Sequence, residues 1–318
     1  MYIPPFTISS KAIHLISEIS AQLERYTIRM EKENSLLLRK INKIKTIQGS
    51  LAIEGNTLTE SQITEILDGK LVVAPIKEIQ EVKNAIETYD IFSKLNPFSV
   101  DDLLQSHSVM MKALIDDAGN FRKNSVGVVS GEQVIHLAPP AERVPTLIHE
   151  LFQWLGSSDD HFLIKSCVFH YEFEYIHPFS DGNGRIGRLW QSLILGKWNA
   201  IFEFLPVENI VFANQQAYYN AINQSTAKID SGIFIDFMLE KILETIKQKQ
   251  IFTQENTQEI TQENIIKAIR SNPKITRREL ALMFNKTDDS IKYQLSKLTK
   301  KGLIKHVGST KSGEWMIL

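Results

Sequence analysis

Apolar residues return every three or four positions along most of this chain, the spacing of amphipathic helices. Ile186, Leu189, Trp190, Leu193 and Ile194 fall at i, i+3, i+4, i+7 and i+8 and form one stripe. The same period runs through residues 144–155, and residues 162–176 are apolar enough for a core helix. Residues 10–48, rich in Leu, Ile, Lys and Glu, predict helix packed against the rest. Gly55-Asn56 stops the segment before it, and Thr59-x-x-Gln62 is a capping box that opens the next helix, with Leu58 and Ile63 as its staple. Strand patterns are few. Residues 126–129 and 134–136 flank Ser130-Gly131-Glu132-Gln133 and predict a hairpin, closed by Pro139-Pro140.

The last sixty or so residues read differently. Thr276-x-x-Glu279 caps one helix ending near Phe284; Thr287 caps another whose buried face is Ile291, Leu295 and Leu298, stopped by Gly302. Residues 304–307 and 314–318 predict two strands around a glycine-flanked turn, Gly308 to Gly313, so this part resembles a winged helix-turn-helix. Ahead of it, residues 253–264 repeat Thr-Gln-Glu, a polar composition that reads as a linker. The fold class expected is therefore mostly α with a small hairpin, followed by an α+β winged module. The boundaries expected are a helical region at 1–100, a core at 101–245, a linker at 246–262 and the winged module at 263–318.

Charge sharpens that division. The formal net charge is -1, yet residues 261–318 hold twelve Lys/Arg against five Asp/Glu, leaving the remainder at -8. A basic tail with Lys297, Lys300 and Tyr293 exposed on its second helix suits DNA phosphates, whereas Asp288 and Asp289 at the start of that helix disfavour base contact. A protein-docking role fits the same surface. The single Cys167 excludes an internal disulfide; with no membrane-length apolar run and no secretory signal in the first residues, a cytoplasmic location is expected.

The chemistry concentrates in twelve residues, His177-Pro178-Phe179-Ser180-Asp181-Gly182-Asn183-Gly184-Arg185-Ile186-Gly187-Arg188. A histidine takes protons near neutral pH, and a carboxylate holds Mg2+ through oxygen. Glycines let backbone N–H groups approach an anion, and arginines neutralise phosphate oxygens. Pro178 and the Gly182-Asn183-Gly184 triplet predict a loop that runs into a helix at Arg185, placing the glycines where a helix N-terminus favours anions.

The stretch His177-x-Phe179-x-Asp181-Gly182-Asn183-Gly184-Arg185-x-x-Arg188 resembles the signature of the Fic domain at every fixed position. The looser likeness extends over roughly residues 40–240, and makes residues 101–245 the expected catalytic core. The resemblance implies transfer of AMP from ATP to a Ser, Thr or Tyr hydroxyl of a target protein, with release of pyrophosphate. It implies His177 as general base and Asp181 as the Mg2+ ligand. Gly182, Asn183 and Gly184 would cradle phosphate, Asn183 with a side-chain donor, while Arg185 and Arg188 would hold the pyrophosphate and γ-phosphate. Phe179 would anchor the loop. Upstream, Ser50-Leu51-Ala52-Ile53-Glu54-Gly55 resembles the family's inhibitory motif, in which Glu54 would pair with Arg188 and exclude the γ-phosphate. The hairpin resembles the flap that pairs with a target segment. Removal of AMP with water positioned by Glu54, self-modification, homodimerisation, and a DNA-binding regulator with a nucleotide-sensing site stay open.

Overall fold

Two helices with hardly any solvent-facing side organise the larger part of the molecule. The computed structural model describes residues 2–30, 35–130, 133–203, 205, 207–284, 287–308 and 313–318. It divides into two units, residues 1–246 and 247–318. The first unit contains α1 (Ser10–Met30), α2 (Ser35–Ile53), α3 (Glu60–Leu67), α4 (Ile76–Ile91), α5 (Val100–Met110), β1 (Gly127–Ser130) and β2 (Gln133–Leu137). Then come α6 (Val144–Ser157), α7 (Phe162–Ile176), α8 (Asn183–Trp198), α9 (Val207–Ala213), α10 (Gln215–Lys228) and the start of α11 (Gly232–Ser271). The second unit takes the end of α11 with α12 (Arg277–Met283), α13 (Asp288–Lys300), β3 (Ile304–Val307) and β4 (Glu314–Ile317).

Every residue of α7 from 163 to 173 is buried, and so is every residue of α8 from 185 to 195. These two helices pack on each other in the middle of the unit, and the loop between them carries the His177–Arg188 stretch. Phe169, Phe173, Phe179 and Trp190 are fully buried around them. Each contributes about 2–3 kcal/mol by removal from water, which holds the loop's two ends on a rigid base. Even Lys165 is buried; its Nζ donates to the Ser158 carbonyl at 3.0 Å.

The turn and cap signals appear where the sequence places them. The Thr59 side chain accepts from the Gln62 N–H and Gln62 returns the bond, while Leu58 and Ile63 are buried beside it. Thr276 and Glu279 form the same box on α12, and Thr287 caps α13. Gly55, with φ 89°, closes the end of α2. The hairpin is antiparallel, with a register irregularity between Val128 and Val129; residues 131–132 of its turn lie outside the described residues. In the second unit β3 and β4 pair antiparallel from Ile304–Ile317 to Val307–Glu314 over a core of Ile265, Leu280, Ile291, Leu295 and Leu298. Residues 309–312 of the turn lie outside the described residues. The Thr-Gln-Glu repeat falls inside α11. No proline interrupts that stretch, and its Gln and Glu are good helix formers, so a polar composition takes helical backbone here.

Candidate active site

The loop between α7 and α8 is fixed from below by side chains far away in sequence. His177 ends α7 in the left-handed region (φ 50°, ψ 63°), its N–H donating to the Phe173 carbonyl at 2.9 Å. Arg122, buried, then clamps the same turn. Its Nε donates to the His177 carbonyl at 2.7 Å, Nη2 to the Pro139 carbonyl at 2.6 Å and Nη1 to the Asn124 carbonyl at 2.8 Å. The Phe179 ring lies flat on His107, with ring centroids 3.6 Å apart. His107 Nδ1 accepts from the Gly119 N–H, so the proton sits on Nε2, which donates to the Asp181 carbonyl at 3.0 Å. Burial lowers the pKa of His107 and favours this neutral form.

Asn183 closes the loop on itself: Oδ1 accepts from the Phe179 N–H and Nδ2 donates to the Phe179 carbonyl, both at 2.9 Å. Gly182, with φ 82°, begins α8 in a conformation that disfavours any side chain.

The two arginines of the stretch are both buried but differently used. Arg185 Nη2 reaches Asp181 Oδ1 at 3.2 Å, and Nη1 lies 3.8 Å from Glu81 Oε1. Its Nε and Nη1 have no hydrogen-bond partner among the described residues although both are shielded from solvent. Buried guanidinium N–H groups left that way are costly unless an anion meets them. Arg188 is engaged instead. Nη2 donates to Glu54 Oε1 at 2.7 Å and to the Ser50 carbonyl at 2.9 Å, and Nε donates to Ser50 Oγ at 3.2 Å. The Glu54 carboxylate also lies against the first turn of α8. A β-carbon on Gly184 would stand 2.5 Å from Glu54 Oε1 and 2.8 Å from Arg188 Nη1, so any larger residue there would push the pair aside. Asn56 links the same upstream motif to Arg185, donating at 2.8 Å to Glu81 Oε2.

Behind Arg188 lies a buried polar cluster. Burial, the largest single influence, opposes the charge of Arg188, but the Glu54 carboxylate, Tyr218 and Glu174 together outweigh it and raise the guanidinium pKa. Glu174 and Glu208 are pushed up to about 7 by burial, against the pull of Arg188. His170 is pushed down to about 3 by burial and is neutral, with Nδ1 on Gln191 Oε1 at 2.7 Å and Nε2 on the Tyr218 hydroxyl at 3.0 Å.

This cluster has a measurable consequence. Glu208 holds its proton to a higher pH in the fold than in the unfolded chain, so its contribution to stability falls as pH climbs from the ordinary carboxyl value of 4.5 through about 7. Glu208→Gln cannot ionise. Relative to wild type it is expected to gain about 2 kcal/mol of stability between about pH 5 and about pH 8, read by urea unfolding across that range. Parallel pH profiles for the two proteins would contradict this account of Glu208.

The structure brings the separate stretches together. His177, Phe179, Asp181, Gly182, Asn183, Gly184 and Arg185 share one loop and helix start, and Ser50 and Glu54 meet Arg188 from more than 130 residues away. One expectation changes. The Asn183 amide is 2% exposed and tied to Phe179 at both ends, so it braces the loop rather than standing free as a phosphate donor. Sequence reasoning missed Arg122, His107, Glu81 and Glu174. Arg122 alone carried a local signal, the Gly119-Asn120-Phe121-Arg122 run before the hairpin; the others are polar residues of helices in which no spacing singles them out.

A helical domain with a glycine-rich loop at the start of a buried helix, and a carboxylate from an upstream helix end lying on its second arginine, is the class that these features define. The chain belongs to the Fic/DOC family. Residues 97–195 match the Fic/DOC family model, and residues 258–305 match a winged helix-turn-helix DNA-binding model. The crystal structure of a Fic family protein from Desulfovibrio desulfuricans G20 is similar over 100% of this chain and 98% of that one, with 36% identity and a TM-score of 0.79. Among curated proteins, a protein adenylyltransferase Fic of Nematostella vectensis is 33% identical over 190 residues, 56% of this chain and 42% of the relative. A probable protein adenylyltransferase of Aquifex aeolicus (strain VF5) is 27% identical over 238 residues, 72% of this chain and 67% of the relative. The chain spans about two fifths of the length of the first of these curated relatives, 42%.

Proposed function

We propose that this protein transfers AMP from ATP to a Ser, Thr or Tyr hydroxyl of a target protein and is held inactive by Glu54. One observation carries the reading. Arg188 and the first turn of α8 hold a carboxylate supplied by the chain itself, beside an Arg185 whose Nε and Nη1 are buried without hydrogen-bond partners. A site that binds its own carboxylate so closely is built for anions. In the reaction, the target hydroxyl oxygen forms a bond to the α-phosphorus, the bond from that phosphorus to the bridging oxygen breaks, and pyrophosphate leaves. His177 takes the hydroxyl proton. Arg185 neutralises the leaving pyrophosphate, Arg188 holds the γ-phosphate once Glu54 has withdrawn, and the amides from Gly182 to Gly184 face the phosphate oxygens.

Asp181 is the residue that fits Mg2+. It is a half-exposed carboxylate, and Mg2+ carried by a nucleotide usually asks a protein for one or two such groups. Bound there, the ion would neutralise phosphate charge. Among the described residues no helix is long and apolar enough to cross a membrane. Cys167 is buried and its thiol is pushed up to about 12, so an inert thiol in a reducing cytoplasm completes the reading. The test is label transfer. Radioactivity from α-labelled ATP should stay on protein after denaturation and that from γ-labelled ATP should not. Retention of the γ label, or of neither in any variant that frees Arg188, would reject AMP transfer.

We infer for the second unit that it binds duplex DNA through phosphate contacts. A cavity of about 700 Å3 is lined there by Lys274, Arg278, Lys292, Lys300, His306 and Trp315, from the segment before α12, from α12, α13 and both wing strands. Asp288 and Asp289 occupy the first turn of α13, so the reading is one of backbone binding with little base discrimination. If the four Lys/Arg side chains each meet a phosphate, log affinity should fall against log salt with a slope of about -3 to -4. Lys292→Glu with Lys300→Glu should reduce that slope by about two. A salt-independent or absent interaction of the full chain with duplex in anisotropy titrations would favour protein docking instead.

A further inference from the structure

Next to the loop that carries His177 lies a cavity of about 270 Å3 that AMP transfer leaves unused. Its walls include Tyr2, Pro139, Arg143, Glu172, Tyr175 and Ile176. Tyr2 is held in place by its hydroxyl, which donates to Glu172 Oε2 at 3.0 Å. Burial pushes Glu172 up to about 7, so the wall it forms carries only part of a charge near neutral pH. Tyr175 is 38% exposed, its ring stacked on Tyr171. Arg143 is exposed and makes no ion pair among the described residues.

The cavity is tied to the site by one residue. Arg122 donates to the carbonyls of Pro139 and Ile176, which line the cavity, and to the carbonyl of His177. Ile176 and His177 are neighbours, with α-carbons about 3.8 Å apart. In an extended target segment, side chains two residues apart emerge on the same face about 6.6 Å from each other. The adjacency of Ile176 and His177 sets the cavity beside that turn, on the length scale of two residues of an extended segment. The space is smaller than the roughly 300–1,000 Å3 of sites for small molecules, and it suits a single large side chain. Two tyrosine rings, a proline edge and an exposed guanidinium favour a flat, electron-rich partner through ring packing and cation–π contact.

We propose that this groove takes an aromatic side chain of the target polypeptide, two residues from the hydroxyl that receives AMP. It thereby sets which hydroxyls are modified. The proposal rests on the AMP-transfer reading, deepening it from "a protein hydroxyl" to a hydroxyl with an aromatic residue at a fixed spacing.

The test uses the full-length Glu54→Gly protein and extended peptides with one central hydroxyl, varied at each flanking position. With α-labelled ATP, an aromatic residue at the second position on one side should raise kcat/KM about tenfold over alanine there, the worth of one good aromatic contact. Tyr175→Ala and Arg143→Ala, both at exposed positions, should each shrink that preference several-fold while calorimetry finds ATP affinity unchanged. A flat response at both second positions, or a preference that survives both substitutions, overturns the groove. If the protein labels itself but no peptide, the groove is overturned and AMP transfer stands. If nothing is labelled, AMP transfer falls, and anisotropy of the labelled aromatic peptide decides the groove alone. Binding weakened by Tyr175→Ala supports it, and binding that is absent or unchanged rejects it.

Discussion

Glu54→Gly is expected to raise AMP transfer, self-labelling included, by about a hundredfold, the equivalent of roughly 3 kcal/mol released from one ion pair. The argument starts from the stiffness of Arg188. Its guanidinium is 3% exposed and pinned by the carbonyl and hydroxyl of Ser50, so it cannot swing out to meet a phosphate elsewhere. An anion must come to it, and Glu54 Oε1 already sits 2.7 Å away. The carboxylate and a γ-phosphate cannot share one buried cation, so nucleotide binds either with its γ-phosphate displaced or after Glu54 has left. Removing the side chain ends the competition while leaving Ser50 to hold the arginine. Glu54→Gln, which keeps the shape and loses the charge, should fall between wild type and Gly. The same variants separate the two directions of reaction. If Glu54 instead positions water to remove AMP, wild type will strip label from a previously labelled protein and Glu54→Gly will not. Transfer rates equal in wild type and Glu54→Gly, measured with α-labelled ATP, would remove the inhibitory role altogether.

What the sequence made legible, and what it hid, follows from how local each determinant is. The loop was readable because its parts are contiguous: Asn183 braces the main chain of Phe179 four residues away, and Gly182 sets the turn between them. The capping boxes at Thr59 and Thr276 were readable for the same reason. The stripe on α8 was read correctly as buried, but its other face was not solvent. Arg188, Gln191 and Ser192 are buried too, satisfied by Glu54, His170 and Glu208 from other helices. A polar residue at helical spacing gives no sign of whether water or another buried polar group awaits it. Arg122 is the sharpest case. Four carbonyl acceptors drawn from three segments converge on it, and no spacing rule could gather them. The helical backbone of the Thr-Gln-Glu stretch was hidden because low-complexity composition speaks to solvation more clearly than to backbone geometry.

His177→Ala should lower the rate of transfer by about 10²- to 10⁴-fold, the usual worth of a positioned general base, while leaving ATP affinity within about twofold of the Glu54→Gly parent. Both variants are best built in that parent so that nucleotide binding is free of competition. The separation of binding from chemistry is what the geometry demands. The backbone at residue 177 is held by Arg122 on its carbonyl and by Phe173 on its N–H, both bonds made through main-chain atoms of that residue. The rest of the loop is held independently, Phe179 by His107, Asn183 by Phe179, and Arg185 by burial against Asp181 and Glu81. Taking away the ring should therefore leave the loop standing. The left-handed conformation at 177 strains alanine and histidine alike, so the thermal midpoint should move little; His177→Gly, which relieves it, offers a second variant with the same missing base. Calorimetry of ATP binding and single-turnover labling decide the matter together. Lost binding in both variants would make His177 part of the loop's structure, and a rate unchanged in both would mean that the hydroxyl proton leaves by another route.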